Sequence, residues 1–330
     1  MNKDKSKNRA DAKKTKKRGR KIMTVFLIIL GVFFSINLIS LFVNQVFFSK
    51  ELDGIEPYGK LVEVHGRKMH IYSMGNGERT IVLLPGMGVP LPSADFGPIM
   101  RELSKEYTVV CAEYFGYGFS ETTDIPRTNE NYIQELREAL SLAGFTAPYV
   151  LIPHSGSGIY SEYYAIKYPN EVSAIIMLDT TSSAKTWVNV PKFLGPMYRI
   201  QQSINLGRLF NPIIVSVLGI SEKNGYTEKE VKDFNTYYNY LYNDATIDQL
   251  FRFSENIREV MELDFPSEVP VLKIIASKQN PGVEKDYHTN HIARLSENTE
   301  LITLEGNHFI YHMAVMEIAE ATTSFLSQLQ

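Results

Sequence analysis

The sequence predicts an α/β fold in which a mostly parallel β-sheet is covered by helices on both faces. Short apolar runs of strand length alternate along the chain with longer segments of helical period. Because the runs are apolar without alternation, the strands should be buried on both sides, which is typical of parallel sheets. The predicted strands are residues 80–84, 107–112, 149–152, 173–178, 271–276 and 301–304, and the predicted helices are residues 96–104, 129–143, 159–168 and 313–329.

The first 21 residues form a strongly basic tail. They contain eleven Lys and Arg against two Asp, whereas the rest of the chain contains 23 Lys and Arg against 35 Asp and Glu. A basic tail joined to an acidic domain argues against a nucleic-acid-binding protein. It favours a segment that lies next to an anionic membrane surface.

Residues 22–48 contain no charged side chain and are predicted to form a transmembrane helix. The run is long enough to cross about 30 Å of hydrocarbon. Lys and Arg crowd its N-terminal side, so residues 1–21 should lie in the cytosol and the chain after about residue 49 outside the cell membrane. We therefore predict an uncleaved, single-pass signal-anchor. A cleaved signal peptide and a buried soluble helix are the alternatives, but no A-x-A cleavage site lies near Phe48.

The segment between this helix and the globular domain is short. Residues 49–58 are predicted to form a stalk, and residues 61–64 and 69–72 are predicted to form a β-hairpin around a His-Gly-Arg turn.

The stretch Pro-His-Ser-Gly-Ser-Gly at 153–158 is the main candidate for chemistry. It lies between a predicted strand and a predicted helix, and small residues around Ser155 permit the sharp turn that presents a serine as a nucleophile. The backbone N–H groups at the start of the helix would favour developing negative charge. Pro153 and Ser157 replace the two glycines of the usual G-x-S-x-G pattern. An ordinary serine N-cap is the alternative interpretation.

Residues 181–268 interrupt the alternation of strands and helices. They have helical patterns, many Tyr and Phe residues and no convincing buried strand. An insertion of this kind between two strands is predicted to form a helical cap over the site, with most of its aromatic side chains in its own core. Residues 59–180 and 269–330 would then form the domain that carries the sheet.

In their order and spacing, four motifs make residues 58–330 resemble the α/β-hydrolase superfamily. They are Pro-Gly-Met-Gly at 85–88, Gly-Tyr-Gly-Phe-Ser at 116–120, His-Ser-Gly-Ser-Gly at 154–158, and Gly-Asn-His at 306–308 before the last helix. The resemblance implies the α/β-hydrolase fold with a helical cap. It also implies a site at the carboxyl ends of the strands.

The resemblance assigns a role to each candidate residue. A neutral serine hydroxyl needs a base within hydrogen-bond reach, and His308 follows the last strand, where the family places its histidine. An imidazole can accept and return a proton near neutral pH. The oxyanion of the tetrahedral intermediate would be held by the backbone N–H groups of Gly156 and Met87, with Gly88 as the second choice.

The acid of the triad has several candidates in the sequence. The family usually carries it just after the strand predicted at 271–276, where this chain has Asn280 and no carboxylate. Asp179, at the end of the preceding strand, is the position that some members use, and we favour it. Alternatives are Glu284 or Asp286, or a Ser–His pair oriented by Asn280 or by no residue. Asp179 could also be a simple turn cap.

The remaining histidines and the loop at 85–88 do not have the patterns of a metal or nucleotide site. His154 is expected to point away from the serine and pack the turn, and His288, His291 and His312 are expected at the surface or facing the cap. No set of His, Cys and carboxylate residues has metal-ligand spacing. The loop at 85–88 is neither G-x-G-x-x-G nor a P-loop. We therefore expect neither a metal nor a nucleotide cofactor.

Taken together, these features predict a membrane-anchored serine hydrolase whose catalytic domain faces outward. The substrate would be a small-molecule ester or amide, cleaved through an acyl-enzyme. The turn at 153–158 has no acidic nucleophile, which argues against the dehalogenase and epoxide-hydrolase branches. The Tyr and Phe residues of the cap suggest an apolar or aromatic acyl group. The alternative is an α/β-hydrolase-like sensor that binds a ligand with little or no turnover.

We expect Asp179→Asn to lower the hydrolysis of an activated ester by orders of magnitude, because the imidazole would lose the carboxylate that orients it. Asn280→Ala should change the rate little. The steady-state rates of the two purified variants test this, and the reverse ranking would end the assignment of Asp179.

Overall fold

The structure is a computed structural model of the whole chain. It describes residues 2–185, 189–279 and 286–329. The chain divides into two compact units, of which the first comprises Met1–Glu51 with Ser203–Leu206 and the second comprises Leu52–Gln202 with Gly207–Gln330.

The first unit is built around one long helix. Helix α1 spans Asn2–Val43 and continues as a π-helical turn over Asn44–Phe48. Among the residues that the structure describes, one helix, Gly19–Phe48, is long and apolar enough to cross a membrane. Apart from Val43, its large apolar side chains between Ile22 and Phe47 are exposed. In water this would be unfavourable, whereas a lipid environment would cover them.

The second unit contains a single eight-stranded sheet in the part of the chain that is described. The strand order is β1-β2-β4-β3-β5-β6-β7-β8. The pairs β1–β2 and β2–β4 are antiparallel, and the other neighbouring strands are parallel. The strands are β1 (Lys60–Val64), β2 (Arg67–Met74), β3 (Thr80–Leu84), β4 (Thr108–Glu113), β5 (Tyr149–Pro153), β6 (Val172–Leu178), β7 (Val271–Ala276) and β8 (Thr299–Leu304).

Helices cover both faces of this sheet. The helices are α2 (Pro92–Asp95), α3 (Gly97–Leu103), α4 (Asn129–Leu142), α5 (Ser157–Lys167), α6 (Gly195–Ile204), α7 (Asn211–Leu218), α8 (Glu228–Tyr237), α9 (Asp244–Met261), α10 (Tyr287–Ile292) and α11 (Val315–Ser327). Leu136 of α4 belongs to the same buried cluster as Leu151 of β5, whereas Ile99 of α3 belongs to the opposite cluster with Ile152. Adjacent residues of one strand are thus buried on opposite faces, and the predicted fold class is confirmed.

The order of the strands determines where a site can form. Strand β3 lies between β4 and β5, and the chain after it leaves the sheet at residues 85–88. Strands β5 to β8 then follow one another in chain order. In such parallel sheets, ligands bind at the carboxyl ends of the strands where the order reverses.

The secondary-structure elements described in the inserted region at 181–268 are all helical. It contains α6 to α9 and short 3₁₀ turns, and no strand occurs in its described residues. The side-chain amide of Gln249 on α9 donates to the hydroxyl of Tyr160 at 3.1 Å, so α9 is tied directly to α5. Trp187 lies outside the described residues.

Part of the predicted stalk belongs to the second unit. Leu52, Ile55 and Tyr58 contact a buried apolar cluster that includes Val89 and Phe234. These residues therefore belong to the globular body, because their apolar side chains find partners there.

A buried ion pair connects α4 to the loop before it. The guanidinium of Arg127 binds both carboxylate oxygens of Glu135, at 2.9 and 2.5 Å, and both side chains are almost fully buried. The carbonyl of Arg127 also accepts a hydrogen bond from Asn256 on α9 at 2.9 Å. The pair thus lies where the inserted region meets the core.

We expect Arg127→Met to lower the free energy of unfolding by about 3–5 kcal/mol, because Glu135 would be left as a buried unpaired charge. The double variant Arg127→Met/Glu135→Leu should lose clearly less. Lys105→Met, which removes an exposed pair with Glu102, serves as the control and should change little. Denaturant unfolding in detergent checks this, and equal losses in the single and double variants would contradict it.

Candidate active site

Ser155 lies at a strained turn between β5 and α5. Its backbone φ of +52° lies in the left-handed region, which residues other than glycine rarely adopt. The turn is held by a hydrogen bond from the Ser155 N–H to the carbonyl of Leu178, at 3.2 Å. A Cβ added to Gly158 would lie 2.6 Å from Cβ of Thr180, so only glycine lets α5 approach the end of β6 this closely.

The departures from the usual glycine pattern have a structural reason. Pro153 ends β5 opposite Leu84 in the parallel ladder. Ser157 is buried, and its hydroxyl donates to the carbonyl of Pro85 at 2.5 Å. The serine in place of the second glycine therefore ties the start of α5 to the loop at 85–88.

Ser155, His308 and Asp179 form a continuous chain of hydrogen bonds. The Ser155 Oγ lies 2.8 Å from His308 Nε2, and His308 Nδ1 lies 2.7 Å from Asp179 Oδ2. Because a carboxylate only accepts, Nδ1 carries the proton and Nε2 presents its lone pair to the serine hydroxyl. The structure therefore brings together the three residues that the sequence analysis singled out. Their catalytic roles stay predictions.

Asp179 is buried and held at both carboxylate oxygens. Its Oδ1 accepts the backbone N–H of Ala276 at 3.0 Å, and its φ of +42° aims the side chain at the histidine. Burial alone would raise the pKa of Asp179. The hydrogen bonds from His308 and Ala276 favour the carboxylate and hold that pKa below its ordinary value. The acid therefore stays ionised beside the imidazole.

Of the alternative residues proposed to orient His308, the structure describes Asp286, and its recorded hydrogen bond goes to another residue. Asp286 lies at the N-terminal end of α10 and is exposed, and its carboxylate accepts the side-chain amide of Asn290 at 3.0 Å. Asn280 and Glu284 lie outside the described residues.

Two backbone N–H groups near the serine belong to different segments of the chain. Within the described residues, no hydrogen bond engages the N–H of Gly156 or of Met87, whereas the N–H of Gly88 points to the hydroxyl of Tyr117 at 3.4 Å. A Cβ added to Gly156 would lie 2.9 Å from Cγ of Met87, so the two segments are in direct contact. This geometry favours Met87 over Gly88 as the second donor in the predicted oxyanion hole.

Comparisons with known proteins agree with this architecture. No protein-family model matches the chain. It is 28% identical to the uncharacterized protein YbdG of Bacillus subtilis, over 94% of this chain and 98% of that protein. A segment of 119 residues is 30% identical to the serine hydrolase BPHL of Homo sapiens and covers 35% of this chain and 40% of that protein. The epoxide hydrolase VrEH1 of Vigna radiata superimposes with a TM-score of 0.66 at 16% identity, over 84% of this chain and 99% of that chain.

The chain has the α/β-hydrolase fold. At 16% identity, the likeness to the epoxide hydrolase concerns the fold alone.

Within this α/β-hydrolase fold, His154 has a contact that the sequence did not reveal. Its Nε2–H donates to the backbone carbonyl of His308 at 2.9 Å, and the two rings lie 4.7 Å apart. Burial, reinforced by the neighbouring His308, holds the pKa of His154 well below its ordinary value, so the ring stays neutral. No local signal indicates this contact, because the two residues are 154 positions apart.

A buried polar cluster contacts Thr180, the residue that follows Asp179. The Lys273 ammonium on β7 donates to the hydroxyl of Thr180 at 3.3 Å and to Nδ1 of His291 at 2.7 Å, and His291 Nε2 donates to Glu162 at 2.8 Å. Burial lowers the pKa of Lys273 to about 8 and also lowers the pKa of His291. The cluster thus fixes the residue that follows Asp179.

The expectation for His291 was therefore wrong. It is fully buried, because Lys273 and Glu162 satisfy both of its ring nitrogens. His312 is also buried, but its Nδ1 donates to the carbonyl of Leu218 at 2.7 Å, so it faces the inserted region as expected.

We expect Gly158→Ala to lower the free energy of unfolding by about 1–3 kcal/mol, because the new methyl group would overlap Thr180. The matched control is Gly54→Ala, where no atom lies within 4 Å of the added Cβ. Denaturant unfolding of both variants is the measurement. A Gly158→Ala protein as stable as the control would contradict the close approach of α5.

Proposed function

We propose that this chain is a membrane-anchored serine hydrolase that cleaves an ester or a small amide. The observation that carries the proposal is the 2.8 Å contact between Ser155 Oγ and a His308 imidazole whose other nitrogen is bound to Asp179. A serine in this arrangement can lose its proton as it attacks, which a solvated serine cannot do at neutral pH.

The reaction would proceed in two halves. Ser155 Oγ bonds to the substrate carbonyl carbon while its proton moves to His308 Nε2, and the Asp179 carboxylate stabilises the imidazolium that forms. The tetrahedral intermediate collapses when His308 returns this proton to the departing alcohol or amine, leaving an acyl group on Ser155. Water then attacks the acyl carbon with His308 as the base, and the carboxylic acid departs as Ser155 is regenerated.

The negative charge of each tetrahedral intermediate needs fixed donors. The N–H groups of Gly156 and Met87 are suited to this role, because the described residues make no competing hydrogen bond to either. Donors that are oriented before the reaction stabilise the oxyanion without a reorganisation cost.

The identity of the nucleophile separates this chain from other branches of the fold. The dehalogenase and epoxide-hydrolase branches use a carboxylate at the turn where this chain has Ser155. The nearby carboxylate of Asp179 is engaged by His308 and Ala276 instead. We therefore assign acyl transfer to this site, as in a carboxylic-ester hydrolase or a related acyl hydrolase.

The surroundings of the oxyanion donors favour an apolar acyl group. A Cβ on Gly156 would lie 3.1 Å from the sulfur of Met87 and 3.2 Å from Cζ of Phe253 on α9. These apolar atoms would contact the acyl part of a substrate whose carbonyl lies at Ser155.

The basic tail and the apolar helix support a location at the cell membrane. We propose that residues 22–48 of this helix span the bilayer, with residues 1–21 in the cytosol and the hydrolase domain outside.

We expect a fluorophosphonate probe to label the detergent-solubilised full-length protein stoichiometrically, because phosphonylation reports an activated serine. Labelling should vanish in Ser155→Ala and persist in Ser327→Ala, which removes an exposed hydroxyl at the end of α11. Intact-protein mass spectrometry measures the added mass.

A well-folded protein that is not labelled would refute the enzyme and favour the ligand-binding sensor. Labelling that persists in Ser155→Ala would refute the assignment of the nucleophile.

A further inference from the structure

The segment 178–181, at the end of β6, contacts the nucleophile and contains the acid. Leu178 accepts the backbone N–H of Ser155 at 3.2 Å, and the backbone N–H of Thr181 donates to the carbonyl of Ser155 at 2.9 Å. Asp179 lies between these two contacts. A displacement of this segment would therefore move the nucleophile and the acid at the same time.

Strand β7 holds this segment at two adjacent positions. The carbonyl of Ile274 accepts the backbone N–H of Asp179 at 2.8 Å. The neighbouring Lys273 is fully buried, and its ammonium donates to the Thr180 hydroxyl at 3.3 Å. Burying an ammonium is costly even when it is paired and hydrogen-bonded. An apolar side chain would fill the same place in the sheet at lower cost, so the ammonium is the feature that needs a function.

A neutral imidazole separates the Lys273 ammonium from a buried counter-charge. Because an ammonium only donates, His291 Nδ1 accepts from Lys273 at 2.7 Å, and the ring proton is therefore on Nε2. This proton is donated to the Glu162 carboxylate at 2.8 Å, and the Ser183 hydroxyl donates to the other carboxylate oxygen at 2.5 Å. The positive charge thus lies at the end that contacts Thr180, and the negative charge lies one imidazole ring further away.

This separation leaves the ammonium able to act on Asp179. In a direct ion pair, the Glu162 carboxylate would cancel most of the field of the ammonium at short range. The Asp179 charge opposes the lowering of the Lys273 pKa by burial, so the two groups interact. The interaction is reciprocal, and the ammonium favours the ionised form of the acid.

The other titratable groups around Lys273 in the described part of the chain carry no negative charge at neutral pH. Burial and the nearby ammonium lower the pKa of His288 on α10 to about 4, so its ring is neutral. Arg294 lies at the far end of the cluster, where its charge acts on His291. The carboxylates that act on the ammonium are the two described above.

We propose that Lys273 is a positioning residue for the reaction assigned to Ser155. Its ammonium holds Thr180 and favours the carboxylate of Asp179, so that the acid stays ionised and aimed at the imidazole. The proposal rests on the hydrolase function proposed above and adds a residue that acts on the triad from within the sheet.

The protonation of Lys273 should therefore control reactivity on the alkaline side. Burial lowers the pKa of Lys273 to about 8. Below this pH the ammonium is present and supports the acid, and as the pH rises through this value the charge is lost. The reactivity of Ser155 should accordingly fall above about pH 8.

The pH dependence of fluorophosphonate labelling tests the proposal without knowledge of the substrate. The second-order rate constant of Ser155 phosphonylation is measured for the full-length protein in detergent between about pH 6 and about pH 10, corrected for hydrolysis of the probe. Intact-protein mass spectrometry gives the labelled fraction, so unfolded molecules do not enter the rate constant. We expect the wild-type rate constant to fall above about pH 8.

Two variants separate the charge from the contact. In Lys273→Met, we expect the rate constant at about pH 7 to be about tenfold lower and the alkaline fall to disappear, because no ammonium remains to titrate. Thr180→Val keeps the ammonium and removes the hydroxyl, so the rate constant should fall less and the alkaline fall should remain. Lys60→Met, at an exposed lysine of β1, is the matched control and should behave as the wild type.

A double variant guards against misfolding. Lys273→Met leaves the Glu162 carboxylate without its buried counter-charge, whereas Lys273→Met/Glu162→Gln removes both charges and should fold. The double variant should show the same loss of rate and no alkaline fall. If neither lysine variant folds, Thr180→Val decides: slower labelling supports the proposal, and labelling as fast as in the wild type overturns it.

The outcomes distinguish this proposal from the hydrolase function. Wild-type protein that is not labelled at Ser155 refutes the hydrolase. Normal wild-type labelling with an alkaline fall that persists in both lysine variants overturns the role of Lys273 and leaves the hydrolase standing. A smaller labelled fraction with an unchanged rate constant would show a purely structural lysine and would overturn that role as well.

Discussion

The hydrogen bond between His308 and Asp179 is the constraint on which the candidate site depends. It fixes the proton on Nδ1 and turns Nε2 toward the Ser155 hydroxyl. The sheet makes the bond possible, because β6, β7 and β8 are parallel neighbours whose carboxyl ends lie side by side. Asp179 directly follows β6, and Ala276, whose backbone N–H holds its second oxygen, ends β7.

The residues around this bond limit how the imidazole can move. His154 donates to the backbone of His308, and Lys273 holds Thr180, the neighbour of Asp179. Both are buried groups whose desolvation is offset only while their hydrogen bonds are made, so they oppose displacement of the chain around the site. Ser155 and Asp179, which both contact the imidazole, have positive φ angles, so each carries backbone strain.

Much of the fold could be predicted because its strands are continuous apolar runs that can only be buried. Strand β7 spans the predicted residues, and β5 extends one residue further. Ser155 and His308 were identifiable because each follows a predicted strand and has small residues beside it. Asp179 was identifiable because the loop after the strand at 271–276, where the family usually carries the acid, holds no carboxylate. The contacts of His154 with His308 and of His291 with Glu162 were not predictable, since they join residues 129 or more positions apart.

The most direct test of the account is a crystal structure of the full-length protein after reaction with a fluorophosphonate. The account predicts phosphorus bonded to Ser155 Oγ, its phosphoryl oxygen within hydrogen-bond distance of the N–H groups of Gly156 and Met87, and His308 still bound to Asp179. Phosphorus on another residue would contradict it. So would a phosphoryl oxygen directed away from both N–H groups, or an imidazole whose Nδ1 contacts a different acid.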